Sequence, residues 1–323
     1  MGRLDLRRIF QYGLVLFVAV TLNFLLPRFM PGNPLELIAG VDVGLLTPEQ
    51  RAQVVAEAGL DLPLWRQYFQ YWGDLITGDF GFSYRSSRPI VDMIAERLPW
   101  TLLLTFASLA LSAVIGVIAG AVSAWRRGRK LDLSFLSSMI ALESLPSFWL
   151  GMLFVSILAV SMGIFPSFGA ETPASSLTGW DRFQDIAIHA VLPVATLSIV
   201  SVPGIYMTMR YSMLEVLGED FIRTARAKGA AESRVLFGHV ARNAFAPVLT
   251  VLALRLGYAF GGTVVIETVF SYPGLGRLVF EAVGGRDYPV MQGAFLVFTI
   301  AVLIANLLAD LLYPLVDPRT RTS

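Results

Sequence analysis

Residues Tyr211–Gly229 read YSMLEVLGEDFIRTARAKG, a charged run set between two long apolar stretches. Leu214, Leu217, Phe221 and Ala225 fall at i, i+3, i+7 and i+11, so one helix would carry them on a single face. Glu215, Glu219, Arg223 and Arg226 supply polar surface around that stripe. The run is too charged to cross a bilayer and too regular for a random linker. A short helix lying across one membrane face satisfies both conditions. Gly229 is placed to end it, because glycine tolerates a left-handed cap. The next stretch, Ala230–Arg242, reads as partly helical and leads back into apolar sequence.

Outward from this run, the chain is dominated by apolar segments. Of 323 residues, 55% are hydrophobic and 15% charged, against about 25% charged in an ordinary soluble domain. A helix needs about 20 mostly apolar residues to cross the hydrocarbon core. Six regions meet this requirement: Ile9–Leu26, Pro99–Trp125, Leu133–Met162, Ile186–Met209, Asn243–Val265 and Tyr288–Val316. The expected fold is therefore an all-α integral membrane protein with six transmembrane helices. Pro146 in the third region, and Pro193 and Pro203 in the fourth, remove backbone donors and predict kinks.

Arg3, Arg7 and Arg8 precede the first apolar run, as in a signal peptide, but that run ends at Leu25-Leu26-Pro27-Arg28 without a small-x-small site, so it is read as a retained anchor. With the N-terminus inside, the segments 1–8, 126–132, 210–242 and 317–323 are cytoplasmic and hold 15 of the 25 Lys/Arg residues. The much longer external segments hold nine. This positive-inside pattern puts both termini in the cytoplasm. The resulting organisation is a first anchor in 1–26, an external insertion over 27–98, a five-helix core over 99–316 containing the cytoplasmic loop 210–242, and a tail at 317–323.

Within the insertion, Thr47-Pro48-Glu49-Gln50 marks a helix start through about Ala58: Thr47 caps orphan amides, Pro48 suits the first turn and Gln50 completes a capping box. Gly78-Asp79-Phe80-Gly81-Phe82-Ser83 reads as a turn, its glycines permitting backbone closed to other residues.

Several chemistries find no support. The net charge of +1 implies no nucleic-acid surface. With no cysteine and only His189 and His239, neither thiolate catalysis nor a zinc site is indicated. No GxxxxGK[ST] phosphate loop, HExxH or GxSxG motif occurs, so no catalytic residues, metal ligands or bound cofactor are assigned.

Charges inside a bilayer are costly and usually face protein or water. Glu143 and Arg255 fall in or near spans and, with Ser144, are candidate pathway-lining residues; helix packing or local pairing is the alternative. Asp310 is a possible partner for Arg255. The pairs Gly116/Gly120 and Gly257/Gly261, four residues apart, read as small faces for close helix packing.

Two roles fit the helix in 211–229: burial of its apolar face among lipid headgroups, or docking into a groove on a cytoplasmic partner. In the second, Gly229, Asn243 and Pro247 are plausible pivots, though each also suits a plain helix boundary.

The run Asp220–Gly229, followed by His239 and Arg242-Asn243, resembles the ATPase-coupling loop of binding-protein-dependent ABC importer permeases, in particular the dipeptide/oligopeptide/nickel permease family. The broader importer signature places a glutamate and two alanines before a glycine. Here Arg223-Thr224-Ala225 precede Gly229 without the glutamate, a departure usual in the peptide branch. Gly78–Ser83, Arg97-Leu98-Pro99, Ser144–Trp149, Pro273–Arg277, Arg286–Pro289 and Asp317-Pro318-Arg319 extend the likeness over nearly the whole chain.

The resemblance implies the type I ABC importer permease fold and pairing with a second, similar permease in a bacterial cytoplasmic (inner) membrane. Two cytoplasmic ATPases would carry ATP and Mg, and an extracytoplasmic binding protein would deliver the solute. It assigns ATPase coupling to Glu219, Asp220, Phe221, Arg223, Thr224, Ala225, Arg226 and Gly229. Peptides are the leading cargo, with nickel chelates, glutathione or sugars as alternatives. The rival class is a self-contained, ion-gradient-driven secondary carrier.

Overall fold

The computed structural model describes residues 6–29, 47–57 and 61–316, with the side chains at 6–9, 27, 51, 54, 56–57, 257–262 and 309–316 outside that description. The described chain is helical except for connecting loops and one isolated antiparallel bridge between Phe82 and Pro89. Its helices are α1 (Leu6–Phe29), α2 (Pro48–Glu57), α3 (Leu64–Thr77), α4 (Ile90–Trp125), α5 (Lys130–Glu143), α6 (Ser147–Phe154), α7 (Gly179–Leu217), α8 (Asp220–Ala227), α9 (Arg242–Val269), α10 (Leu275–Gly285) and α11 (Tyr288–Val316). A π-helical stretch, Val155–Ser161, extends α6, and a second, Val235–Ala241, runs into α9.

Among the described residues four helices are long and apolar enough to span a membrane, and one bent pair passes the same test only when its two helices are taken together. The apolar part of α1, Phe10–Leu26, is shorter. The third region, expected over Leu133–Met162 with a kink at Pro146, forms two helices, α5 and α6, meeting at 98°. Pro146 explains the break: it lacks an amide proton, its fixed φ starts a new helix, and it biases Leu145 away from helical backbone. Pro193 and Pro203, by contrast, lie inside the continuous α7, and Pro99 and Pro247 inside α4 and α9. The capping box forms as expected: Gln50 N–H donates to Thr47 Oγ1 at 3.3 Å and Thr47 N–H to Gln50 Oε1 at 3.0 Å.

The described chain falls into two compact units. One holds 102–272 together with the chain from 304; the other holds the chain up to 101 together with 273–303. In the first, α4 packs closely on α7 because Gly116 and Gly120 carry no side chain. A methyl at Gly116 would lie 2.8 Å from Ile205 Cβ, and one at Gly120 would lie 2.7 Å from the Tyr206 carbonyl. This is the small face expected for that pair. Gly257/Gly261 lies outside the described side chains.

In the second unit, α3 runs antiparallel along α1. Phe17 stacks on Trp72, Phe24 meets Tyr68 edge-on, and Arg28 donates to Gln67 at 2.6 Å. Asn23 and Gln292 exchange side-chain-to-backbone hydrogen bonds at 2.8 and 2.7 Å, so the amides tie α1 to α11 without leaving a polar group bare in an apolar setting. The core of this unit is Ile90, Ile94, Leu275, Leu278, Val290 and their neighbours.

Candidate functional site

The charged run that opened the sequence reading is not one helix. α7 ends at Leu217, and Gly218 and Glu219 turn the chain before α8 begins at Asp220. This two-residue break shifts the register, so the expected stripe Leu214–Leu217–Phe221–Ala225 does not form. Phe221 is 45% exposed, while Ile222 beside it is fully buried against Met213, Val235, Val240, Ala244 and Val248. Ile222 is the apolar anchor that period counting missed, because the count ran across a turn.

The rest of α8 faces outward. Glu219, Asp220, Phe221, Arg223, Thr224, Arg226 and Gly229 are exposed and Ala225 is half-buried, so the structure gathers the assigned residues onto one short projection. Its end is a Schellman turn. Gly229 takes φ +78°, its N–H donates to the Arg226 carbonyl at 2.9 Å, and Ala230 N–H reaches the Ala225 carbonyl at 3.2 Å. Arg226 pairs with Glu232 at 3.0 Å across that turn, and Arg223 with Asp220 at 3.3 Å within the helix. Both pairs are well exposed and contribute at most about 1 kcal/mol each. Asn243 donates to the His239 carbonyl at 2.6 Å, where the π-helical stretch joins α9.

Just before the projection lies a buried polar cluster that the sequence reading did not single out. Arg210 on α7 grips the Asp132 carboxylate of α5 with two hydrogen bonds, at 2.8 and 2.9 Å. The same carboxylate accepts from Ser123 Oγ on α4 and from Gly128 N–H at 2.9 Å. Ser123 also bonds Tyr206 of α7 at 2.6 Å. Asp132 is 1% exposed and Arg210 8%. In the sequence Asp132 ends the arginine-rich connection 126–132 and Arg210 stands at the end of an apolar run, and only three-dimensional packing reveals the pair.

Among the described residues the charged candidates of the apolar helices make no hydrogen bond or ion pair with one another. Glu143 and Ser144 stand at the α5–α6 break and are exposed. Arg255, on α9, lies against Gly204 of α7 and within electrostatic reach of Glu143. The alternative partner, Asp310, falls outside the described side chains. Pro247 lies in continuous helix.

In the other unit two separate sequence landmarks converge. Asp287, 4% exposed, accepts from Ser83 Oγ at 2.6 Å and from the Tyr84 and Arg85 amides at 3.2 and 3.4 Å. The turn at 78–83 is thus clasped by the residue that precedes α11. Gly78 and Gly81 both adopt positive φ, as the turn reading requires. Burial, and then the Asp287 charge, push the Tyr84 phenol above its ordinary range. A half-open pocket of about 330 Å³ lies beside this clasp.

The geometry defines a multi-span helical membrane protein carrying a small, firmly capped helical projection at the junction of two spans. The sequence family described as "Binding-protein-dependent transport system inner membrane component" matches residues 96–322, and "Binding-prot-dependent transport system membrane comp, N-term" matches 1–105. The chain belongs to the binding-protein-dependent ABC import permeases of the dipeptide/oligopeptide/nickel type.

Among its relatives, the dipeptide transport system permease protein DppB of Escherichia coli (strain K12) is 37% identical over 331 residues, covering 96% of this chain and 97% of the relative. The oligopeptide transport system permease protein AppB of Bacillus subtilis (strain 168) is 37% identical over 320 residues, covering 99% of each. The glutathione transport system permease protein GsiC of Escherichia coli (strain K12) is 38% identical over 310 residues, covering 95% and 94%. A solved chain from inward-facing forms of the MetNI methionine ABC transporter shares the fold, with TM-score 0.59 and 19% identity over 72% of this chain and 99% of that one.

Proposed function

We propose that this chain is one of two permease subunits of an ATP-driven peptide importer, with α8 as the helix that docks on a cytoplasmic ATPase. The observation that carries this reading is the division of labour within α8. Ile222 is fully sunk into the span junction, while Phe221, Arg223, Thr224 and Arg226 are left for another surface. An apolar residue exposed beside charged ones suits a groove on a protein partner better than a purely solvated face.

In this reading α1, the bent α5–α6 pair and the four long apolar helices make six membrane crossings, with both termini cytoplasmic and the 27–98 insertion outside. α3 would lie at the outer lipid surface, since Trp65, Phe69 and Ile76 are exposed along it. ATP and Mg belong to the partner ATPases, and an external binding protein delivers the solute. Relatives named for dipeptide, oligopeptide and glutathione transport favour a peptide cargo.

The test is reconstitution into liposomes with and without the second permease, the ATPases and the binding protein. ATP-dependent peptide uptake is expected only with the full set. Uptake by this chain alone, driven by an ion gradient, would make it a secondary carrier. Crosslinks from positions 219–226 to the ATPase are expected in the intact complex, and their absence throughout the ATP cycle would remove α8 from the coupling role.

A further inference from the structure

Arg255 stands inside the apolar α9, yet among the described residues its guanidinium makes no hydrogen bond. A half-buried guanidinium on an apolar helix is costly without acceptors, and such a residue persists where something else supplies them. Its surroundings look made for access. The guanidinium lies over Gly204, where any side chain would collide with its terminal nitrogen. Among the described residues the carboxylate within its electrostatic reach is Glu143, the last residue of α5, where the helix gives way to the 98° break. Glu143, Gly204 and Arg255 come from three different helices, α5, α7 and α9. Arg255 links them, lying against Gly204 and within electrostatic reach of Glu143.

We propose that Arg255 binds a carboxylate of the passing solute and that Glu143, with the carbonyl end of α5, faces its ammonium. This deepens the import reading above and rests on it. A free peptide is a zwitterion, and a low-dielectric passage must offer it both signs. A guanidinium fork takes a carboxylate through two parallel hydrogen bonds. The exposed acid at a helix C-terminus, where the backbone dipole is negative, suits an ammonium.

The chain contains no cysteine, so Arg255→Cys provides its only thiol. In the full reconstituted complex, with the other subunits freed of reactive thiols, a water-soluble methanethiosulfonate reagent should label that thiol, and peptide delivered by the binding protein should slow labelling. Arg255→Gln should lower uptake per assembled complex by about tenfold or more, the size of one charge-assisted hydrogen bond, while binding-protein-stimulated ATP hydrolysis persists. Arg255→Lys should recover part of the loss, and Gly204→Ala, which displaces the guanidinium without changing its charge, should reproduce part of it. A thiol that never labels, or full uptake by assembled Arg255→Gln complexes, overturns the proposal. If the wild-type complex takes up no peptide at all, the import reading fails instead, and the two failures are distinct.

Discussion

Neutralising Asp132 isolates the energetics of the buried cluster above α8. In Asp132→Asn the shape is kept, but the Arg210 guanidinium loses its counter-charge at a site 8% exposed. Removing one partner of a buried pair costs about 3–5 kcal/mol, because the other charge stays desolvated. The carboxylate here accepts from Ser123, Gly128 and twice from Arg210, so relaxation offers Arg210 no second acid within the cluster. For a chain this long, about 2 °C per kcal/mol is expected, which gives a fall in unfolding temperature of about 6–10 °C. Detergent-solubilised protein heated in steps and assayed by fluorescence-detected size exclusion reads this directly. The double variant Asp132→Asn/Arg210→Gln removes both charges and should recover more than half of the loss. A shift below about 2 °C for the single variant, or a double variant whose loss equals the sum of the singles, would show that the pair does not carry this energy.

Gly120→Leu forces a side chain into the Tyr206 carbonyl and Met209, neither of which can swing aside, and should destabilise the protein by about 1–3 kcal/mol or abolish its accumulation in the membrane. Ile222→Ala empties the socket under α8 at a cost of about 2–5 kcal/mol, and should speed tryptic cleavage at Arg223, Arg226 and Lys228 by local opening. Gly229→Val meets no neighbouring atom but must adopt φ near +78°, costing about 1–2 kcal/mol; transport should fall with little change in the amount of assembled complex. Ser83→Ala leaves Asp287 with only backbone donors and should loosen the 78–89 loop by about 1–3 kcal/mol, measurable as faster amide hydrogen exchange there.

The apolar spans were legible because bilayer thickness imposes a length that composition alone reveals, and α4, α7, α9 and α11 follow it. The Gly116/Gly120 face was legible for a related reason: close approach of two backbones leaves a four-residue mark. What period counting could not supply was the break at Gly218–Glu219, which moved burial from Phe221 to Ile222. A helical count assumes unbroken backbone, and two residues of turn rotate everything beyond them. The right angle at Pro146 was similarly underread as a kink, since proline marks where a helix yields but not the angle at which it resumes. Asp132 with Arg210, and Ser83 with Asp287, are contacts between residues far apart in the chain, and no local pattern encodes them. The charged residues of α8 were legible as an exposed surface because charge is a local property, whereas Phe221, expected on the apolar face, is exposed beside them.

Ile222 gives α8 the character of a lever on a peg. A rod held at a single deep point can tilt in two directions, but it cannot slide without dragging its socket. That socket is made by Met213 from one span and by Val235, Val240, Ala244 and Val248 from the lead-in and start of the next. A load on α8 therefore bears at once on the end of α7 and on the lead-in to α9, because one buried side chain is shared by both.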